Sequence, residues 1–243
     1  MAEYKKNKCK YLIVMGCLVQ RYKDELEKVI PEVDLWIKYD EYNNICEQIE
    51  NLLSSINTKY KLDCPSELNF LDRVITTGKN FAYLRIAEGC SNHCTYCAIP
   101  SIRGPFISRK IEDILEEANK LVDNGIKELI VIAQDTTKYG IDIYGKPMLA
   151  KLLQELCKIK NVKWIRFLYA YPETITDELI ETVKNNEKIC NYFDIPIQHI
   201  QDQVLKRMNR KSDGETIKNL ITKIRKEIPD VILRTTVIVR ISW

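Results

Sequence analysis

No run of apolar residues in this sequence is long enough to cross a membrane. The amino terminus, Met1-Ala2-Glu3-Tyr4-Lys5-Lys6, lacks the hydrophobic segment of a signal peptide. Both absences predict a cytoplasmic protein with no membrane partner. Charge of one sign is scarce as well. Against 37 Lys and Arg stand 34 Asp and Glu, a net +3, too little to call for nucleic acid by itself. Histidine is nearly missing, with 2 in 243 residues, so His199 reads by default as a satisfied structural group. Cysteine is not scarce. Nine of them in a reducing compartment argue for metal ligands or catalysis rather than disulfides. The rest is ordinary for a soluble globular chain, 45% apolar and 29% charged. The length suffices for one large domain, or one domain and part of another.

Three of the cysteines, Cys90, Cys94 and Cys97, fall at C-x3-C-x2-C in Gly89-Cys90-Ser91-Asn92-His93-Cys94-Thr95-Tyr96-Cys97, just after the apolar run Phe81 to Ala87. An ordinary iron–sulfur cluster takes four cysteines. Only three are close here, and the simplest reading is a [4Fe–4S] cluster with one iron left open to a substrate or cofactor. A closed Cys3His zinc site of Cys90, His93, Cys94 and Cys97 competes on spacing alone. Buried thiols acting as small hydrophobes are the third reading.

Around this motif the chain alternates strand and helix. Residues 11–15 read as a strand, 19–29 as a helix, 33–37 as a strand and 42–53 as a helix, a small open α/β sheet. Ligands sit at the carboxyl ends of strands in such sheets, and Cys17 is at one. Residues 57–80 read as a connector, with Cys46 and Cys64 structural or incidental. From Phe81 strands are expected near 81–87, 127–133, 163–169, 192–195 and 231–239. Helices are expected near 110–124, 148–160, 176–188, 200–209 and 214–227, the first capped by Gly125. Repeated β-α units with short loops give a parallel sheet with right-handed crossovers, working from the loops after its strands.

The cysteine motif, with Tyr96 just before its last cysteine, resembles the radical S-adenosylmethionine enzymes. Its continuation through Ala98-Ile99-Pro100, Arg103-Gly104-Pro105 and Ser108-Arg109 resembles their methylthiotransferases. The resemblance runs from about Tyr11 to Val239. It implies a partial parallel (βα) barrel of the radical SAM type at 81–243, preceded at 1–56 by part of a small open α/β domain. It also implies that the last barrel strand and a C-terminal TRAM domain are missing. Cys90, Cys94 and Cys97 would hold one [4Fe–4S] cluster, with S-adenosylmethionine chelating its open iron. Gly16-Cys17-Leu18-Val19-Gln20-Arg21-Tyr22 resembles the segment carrying the third ligand of a second cluster, whose other two cysteines are absent.

The same resemblance sets Tyr96 near the adenine of the cofactor, and Gln134 and Thr136 near its methionine part. Gln198 becomes a ribose or carboxylate contact, and Arg207 and Arg210 become partners for the cofactor carboxylate or a substrate. The segments 134–140, 168–172 and 196–200 resemble the branch that adds a methylthio group to an aspartate of a small-subunit ribosomal protein. A reductant and a sulfur donor are then implied partners. The alternatives are the transfer-RNA branch, a non-catalytic zinc-binding α/β protein, and an inactive fragment.

Overall fold

The computed structural model describes residues 9–54, 73–76, 78 and 80–239. The expected connector lies largely outside them, as does Cys64. The chain forms two compact units, Met1–Asp72 with Ser101–Arg103, and Arg73–Pro100 with Gly104–Trp243.

In the first unit β1 (Ile13–Met15) pairs in parallel with β2 (Leu35–Ile37). They flank α1 (Cys17–Val29), and α2 (Ile45–Ser54) follows a short 3-10 turn at Tyr39–Asn44. The expected β-α-β-α order is present. The second helix begins later than the sequence suggested because the turn takes its first residues.

The second unit is built on parallel strands. β3 (Phe81–Arg85), β6 (Glu128–Ile132) and β7 (Trp164–Phe167) form one sheet in that order, and β8 (Tyr192–Asp194) pairs with β9 (Ile232–Arg234). An isolated parallel bridge, Ile165 to Ile189, and a 2.8 Å hydrogen bond from Ala170 N to Asp194 O tie the two sheets together. This is a partial parallel barrel. Two strands escaped the sequence reading: β4 (Ala87–Glu88) and β5 (Ile107–Ser108), an antiparallel pair that brackets the cysteine motif and α3 (Ile99–Arg103). Two residues are too few to show a period, so nothing in the pattern could mark them.

The core lies on one face of the strands. Ala82, Leu84, Leu129, Val131, Ile165 and Phe167 are buried and alternate with half-buried or exposed neighbours, as a pleated strand requires, and Phe193 joins the same core. Helices cover that face: α4 (Ile111–Asp123), α6 (Leu149–Cys157), α7 (Asp177–Lys184) and α9 (Gly214–Glu227). In α4 the buried residues Ile114, Ala118, Leu121 and Val122 recur at helical spacing. Gly125 ends it with φ +97 in a Schellman turn, Gly125 N to Val122 O at 2.9 Å and Ile126 N to Leu121 O at 3.2 Å. The other strand face carries Tyr83, Arg85, Ile130 and a cross-strand pair, Arg166 Nε to Glu128 at 2.9 Å. The remaining helices, α5 (Ile141–Tyr144) and α8 (Asp202–Arg207), stand in the loops beyond the carboxyl ends of β6 and β8.

Candidate radical SAM site

The cysteine loop leaves β4 at Gly89, and only glycine fits there. Its φ is +71, and a Cβ would lie 2.0 Å from the carbonyl oxygen of Pro105. Cys90 N donates to Gly104 O at 3.1 Å, and Phe106 N to Ser91 Oγ at 3.1 Å, so the loop closes on its own exit. Its middle is tied to the end of α8. Thr95 N donates to Met208 O at 3.2 Å, Thr95 Oγ1 to Arg207 O at 3.0 Å, and Asn209 Nδ2 to His93 O at 2.9 Å. These bonds explain the polar residues among the cysteines. They order a loop that has no regular backbone ladder of its own.

Cys90 and Cys94 are buried, and Cys97 is exposed. Burial pushes the Cys90 thiol up, Asn92 N–H pulls it back, and Asp135 and the other two thiols push it up further. The ligand-free loop therefore keeps a proton on Cys90, which a metal would displace on binding. Among the described residues no three His, Cys, Asp or Glu side chains converge on one ion position. His93, the fourth residue of the Cys3His reading, is exposed.

Asn92 carries the loop to the segment after β6. Its Nδ2 donates to Asp135 Oδ2 at 2.9 Å, and its Oδ1 accepts from Lys138 Nζ. Asp135 is fully buried. Burial raises its carboxyl above the ordinary range, against hydrogen bonds from Thr137 and Asn92 that lower it. Sequence reasoning passed over Asp135, because an Asp beside a turn is the commonest of loop residues. Its neighbour Thr136, expected at the cofactor, is different in role. It is fully buried, with Oγ1 donating to Leu168 O at 2.7 Å and its N to Tyr169 O at 3.1 Å. Thr136 is a strut between the loops after β6 and β7. Gln134 is half-buried beside it.

Arg210 is the other residue that closes this rim. Its guanidinium stacks 4.2 Å above the Tyr171 ring, donates to Pro196 O at 3.1 Å, and faces Glu173 Oε2 at 3.7 Å. Its side chain is 1% exposed, yet Nε and Nη1 have no hydrogen-bond partner. Buried donors are rarely left so. Burial pulls its pKa down, but Glu173, Tyr171, Tyr96 and Cys94 outweigh that and hold it charged. The Tyr96 phenol is pushed up by burial first and then by Cys94, while Arg210 pulls it down. Tyr96, Cys94, Tyr171 and Arg210 are thus neighbours. Arg207 stands apart, exposed and joined to the loop through its carbonyl oxygen.

Gln198, after β8, has φ +67, and its N and O pair with Thr236 O at 2.9 Å and Ile238 N at 2.8 Å. His199 accepts Gln201 N on Nδ1 at 3.0 Å, the structural role read for it. Cys17 lies in the first unit as the opening residue of α1. Arg103 Nη2, counted with that unit, donates to its Sγ at 3.5 Å. A cleft of about 460 Å³ at the amino ends of β7, β8 and β9 is lined in part by paired charges, Arg166 with Glu128, Lys184 with Glu227 and Asp230 with the amide of Asn191.

The Radical SAM superfamily profile matches residues 84–242. The chain belongs to the radical SAM superfamily. This radical SAM chain is 67% identical to the ribosomal protein uS12 methylthiotransferase RimO of Alkaliphilus oremlandii, over 98% of its own length and 53% of that protein. It is 54% identical to the RimO of Clostridium botulinum strain Hall, over 98% of itself and 54% of that protein. The RimO of Clostridium perfringens strain SM101 gives the same figures. The chain therefore spans about half the length of these relatives. Among solved structures, the radical SAM methyltransferase TsrM of Kitasatospora setae superposes with TM-score 0.66 at 13% identity, covering 92% of this chain and 48% of that one. The cobalamin-dependent radical SAM enzyme OxsB gives TM-score 0.66 at 14% identity, covering 93% and 36%. Those likenesses establish the fold, a partial parallel α/β barrel of the radical SAM type.

Proposed function

We propose that this chain is the part of a uS12 methylthiotransferase that binds S-adenosylmethionine and cleaves it at a [4Fe–4S] cluster, for transfer of a methylthio group to an aspartate of the ribosomal protein. The observation that carries the reading is the pairing of Cys90, Cys94 and Cys97 with the unsatisfied Arg210 beside them. Identity to proteins named for uS12 modification supports the substrate class over transfer RNA.

Cys90, Cys94 and Cys97 would hold the cluster, which would supply the electron that cleaves the sulfonium of S-adenosylmethionine. Arg210 offers Nε and Nη1 to the cofactor carboxylate, fixed by Tyr171, Glu173 and Pro196 O so that little freedom is lost on binding. Tyr96 would flank the adenine, and Gln134 and Gln198 would contact the cofactor. Asn92 and Lys138 hold the cysteine loop against the buried Asp135. Cys17 would be one ligand of a second cluster. A reductant and a sulfur donor complete the reaction. No described helix is long and apolar enough to cross a membrane, and the protein works in the cytoplasm, where ribosomes assemble.

Anaerobic reconstitution followed by iron and sulfide analysis tests this. About four irons per chain, with 5′-deoxyadenosine released on reduction, is the expected result. Zinc in place of iron, or a Cys94→Ala chain that still releases the nucleoside at the parent's rate, refutes it. Mass analysis of uS12 against nucleoside analysis of transfer RNA separates the two substrate classes.

A further inference from the structure

Asp194 and Arg234 stand opposite each other at the carboxyl ends of β8 and β9. Phe193 between Tyr192 and Asp194 points into the core, so Asp194 takes the face away from the helices. Arg234 Nη1 lies 3.4 Å from Asp194 Oδ2. Exposure is divided unequally, with the Asp194 side chain at 3% and that of Arg234 at 56%. One arm of the guanidinium neutralises a buried carboxylate, Tyr192 on the same strand face also bonds to the guanidinium, and about half of the side chain is exposed.

Asp194 does more than balance charge. It accepts Tyr169 N at 3.2 Å, while Thr136 N donates to Tyr169 O at 3.1 Å. Held from both sides, Tyr169 adopts φ +60 and is 43% exposed. Left-handed backbone is unfavourable for a tyrosine, and glycine would avoid the cost. Packing does not call for this aromatic, because its ring is half in solvent. A row of bonded groups thus runs from Thr136 through Tyr169 and Asp194 to Arg234, along the strand ends beside the cysteine loop. At its far end is an oriented cation next to an aromatic wall.

We propose that Arg234 receives a carboxylate of the substrate, with Asp194 as the positioning residue that fixes the fork and Tyr169 as the wall beside it. A guanidinium offers paired N–H donors that match the two oxygens of a carboxylate. The proposal rests on the uS12 reading, whose target is an aspartate, and names the group of this chain that tells aspartate from its amide.

Fluorescence anisotropy of overlapping uS12 peptides, each with its Asp→Asn counterpart, against the iron-reconstituted chain with S-adenosylmethionine tests it. The parent should bind one aspartate peptide at least about tenfold more tightly than the asparagine form. Arg234→Gln should bind both alike, Arg234→Lys should keep part of the preference, and iron content and cofactor affinity should not change. Because Arg234→Gln leaves Asp194 buried without its cation, Asp194→Asn/Arg234→Gln is measured as well and should also bind both peptides alike. A preference that survives in that double variant overturns the role of Arg234 and leaves the uS12 reading standing. If no uS12 peptide binds the parent while transfer-RNA fragments do, the uS12 reading fails and the proposal falls with it.

Discussion

Asn92 Nδ2 donates to the buried carboxylate of Asp135 across 43 residues of sequence, at 2.9 Å. The bond fastens the cysteine loop to the strand-end segment after β6, and it makes part of the chain's stability depend on pH. Burial raises the Asp135 carboxyl above its unfolded value. A raised acid contributes stability that is full below the unfolded value, about 3.9, and is lost as pH rises through the folded one. Urea midpoints of parent and Asp135→Asn, taken from pH 4 to 8, should move apart in favour of the variant as pH rises. Asn92→Ala removes one of the two hydrogen bonds that oppose the rise, so its loss should extend to higher pH than the parent's. Parallel curves for all three proteins would show that Asp135 ionises without penalty.

Gly89→Ala should fold its barrel yet fail to load. A Cβ at that position meets the Pro105 carbonyl oxygen at 2.0 Å and the Gly104 oxygen at 2.7 Å, both main-chain atoms. The loop must open to relieve this, and Cys90, bonded to Gly104 O, must move with it. Iron per chain after reconstitution should drop well below the parent's with the far-ultraviolet spectrum unchanged.

Arg210→Gln should weaken S-adenosylmethionine binding by about 30-fold or more, the loss expected when one partner of a buried hydrogen-bonded charge pair is removed. Iron content should change little, since Arg210 stands beside Cys94 as a charge and makes no hydrogen bond to it. Equilibrium dialysis on the reconstituted chain reads the affinity. Unchanged affinity would make the guanidinium a structural tie between Glu173 and Pro196.

Phe193→Ala should destabilise the barrel unit by about 3–5 kcal/mol. The ring is fully buried and meets Phe167 edge-to-face at 5.2 Å and 87°. Chemical denaturation followed by tryptophan fluorescence measures it. A loss below about 1 kcal/mol would mean that the core refills the space.

The repeated β-α order and the cysteine motif were legible from sequence because both are periodic or closely spaced signals. Helical spacing in α4 and the alternation of Leu129 and Val131 in β6 put each element within a few residues of its expected place. The contacts that order the site were not legible, because they join residues far apart. Thr95 finds the carbonyl of Arg207, and Asn209 that of His93, 112 and 116 residues away. Thr136 was placed by resemblance, which cannot tell a buried strut from a side chain facing a ligand, and Asp135 was passed over. Arg210 and Arg207 looked alike in sequence, and three residues of separation buried one and exposed the other.

Among the described residues, four other than glycine have left-handed backbone: His93, Tyr169, Gln198 and Asn209. All four lie in the loops that carry or adjoin the cysteine motif and the strand ends around it. Each is a place where glycine would relax the chain at the expense of a side chain. A search for hardier variants would be drawn to those codons first. Heat tolerance gained there would come from loosening the rim of the site, so selection for survival alone would tend to breed a sturdier protein with a blunter grip on its ligands.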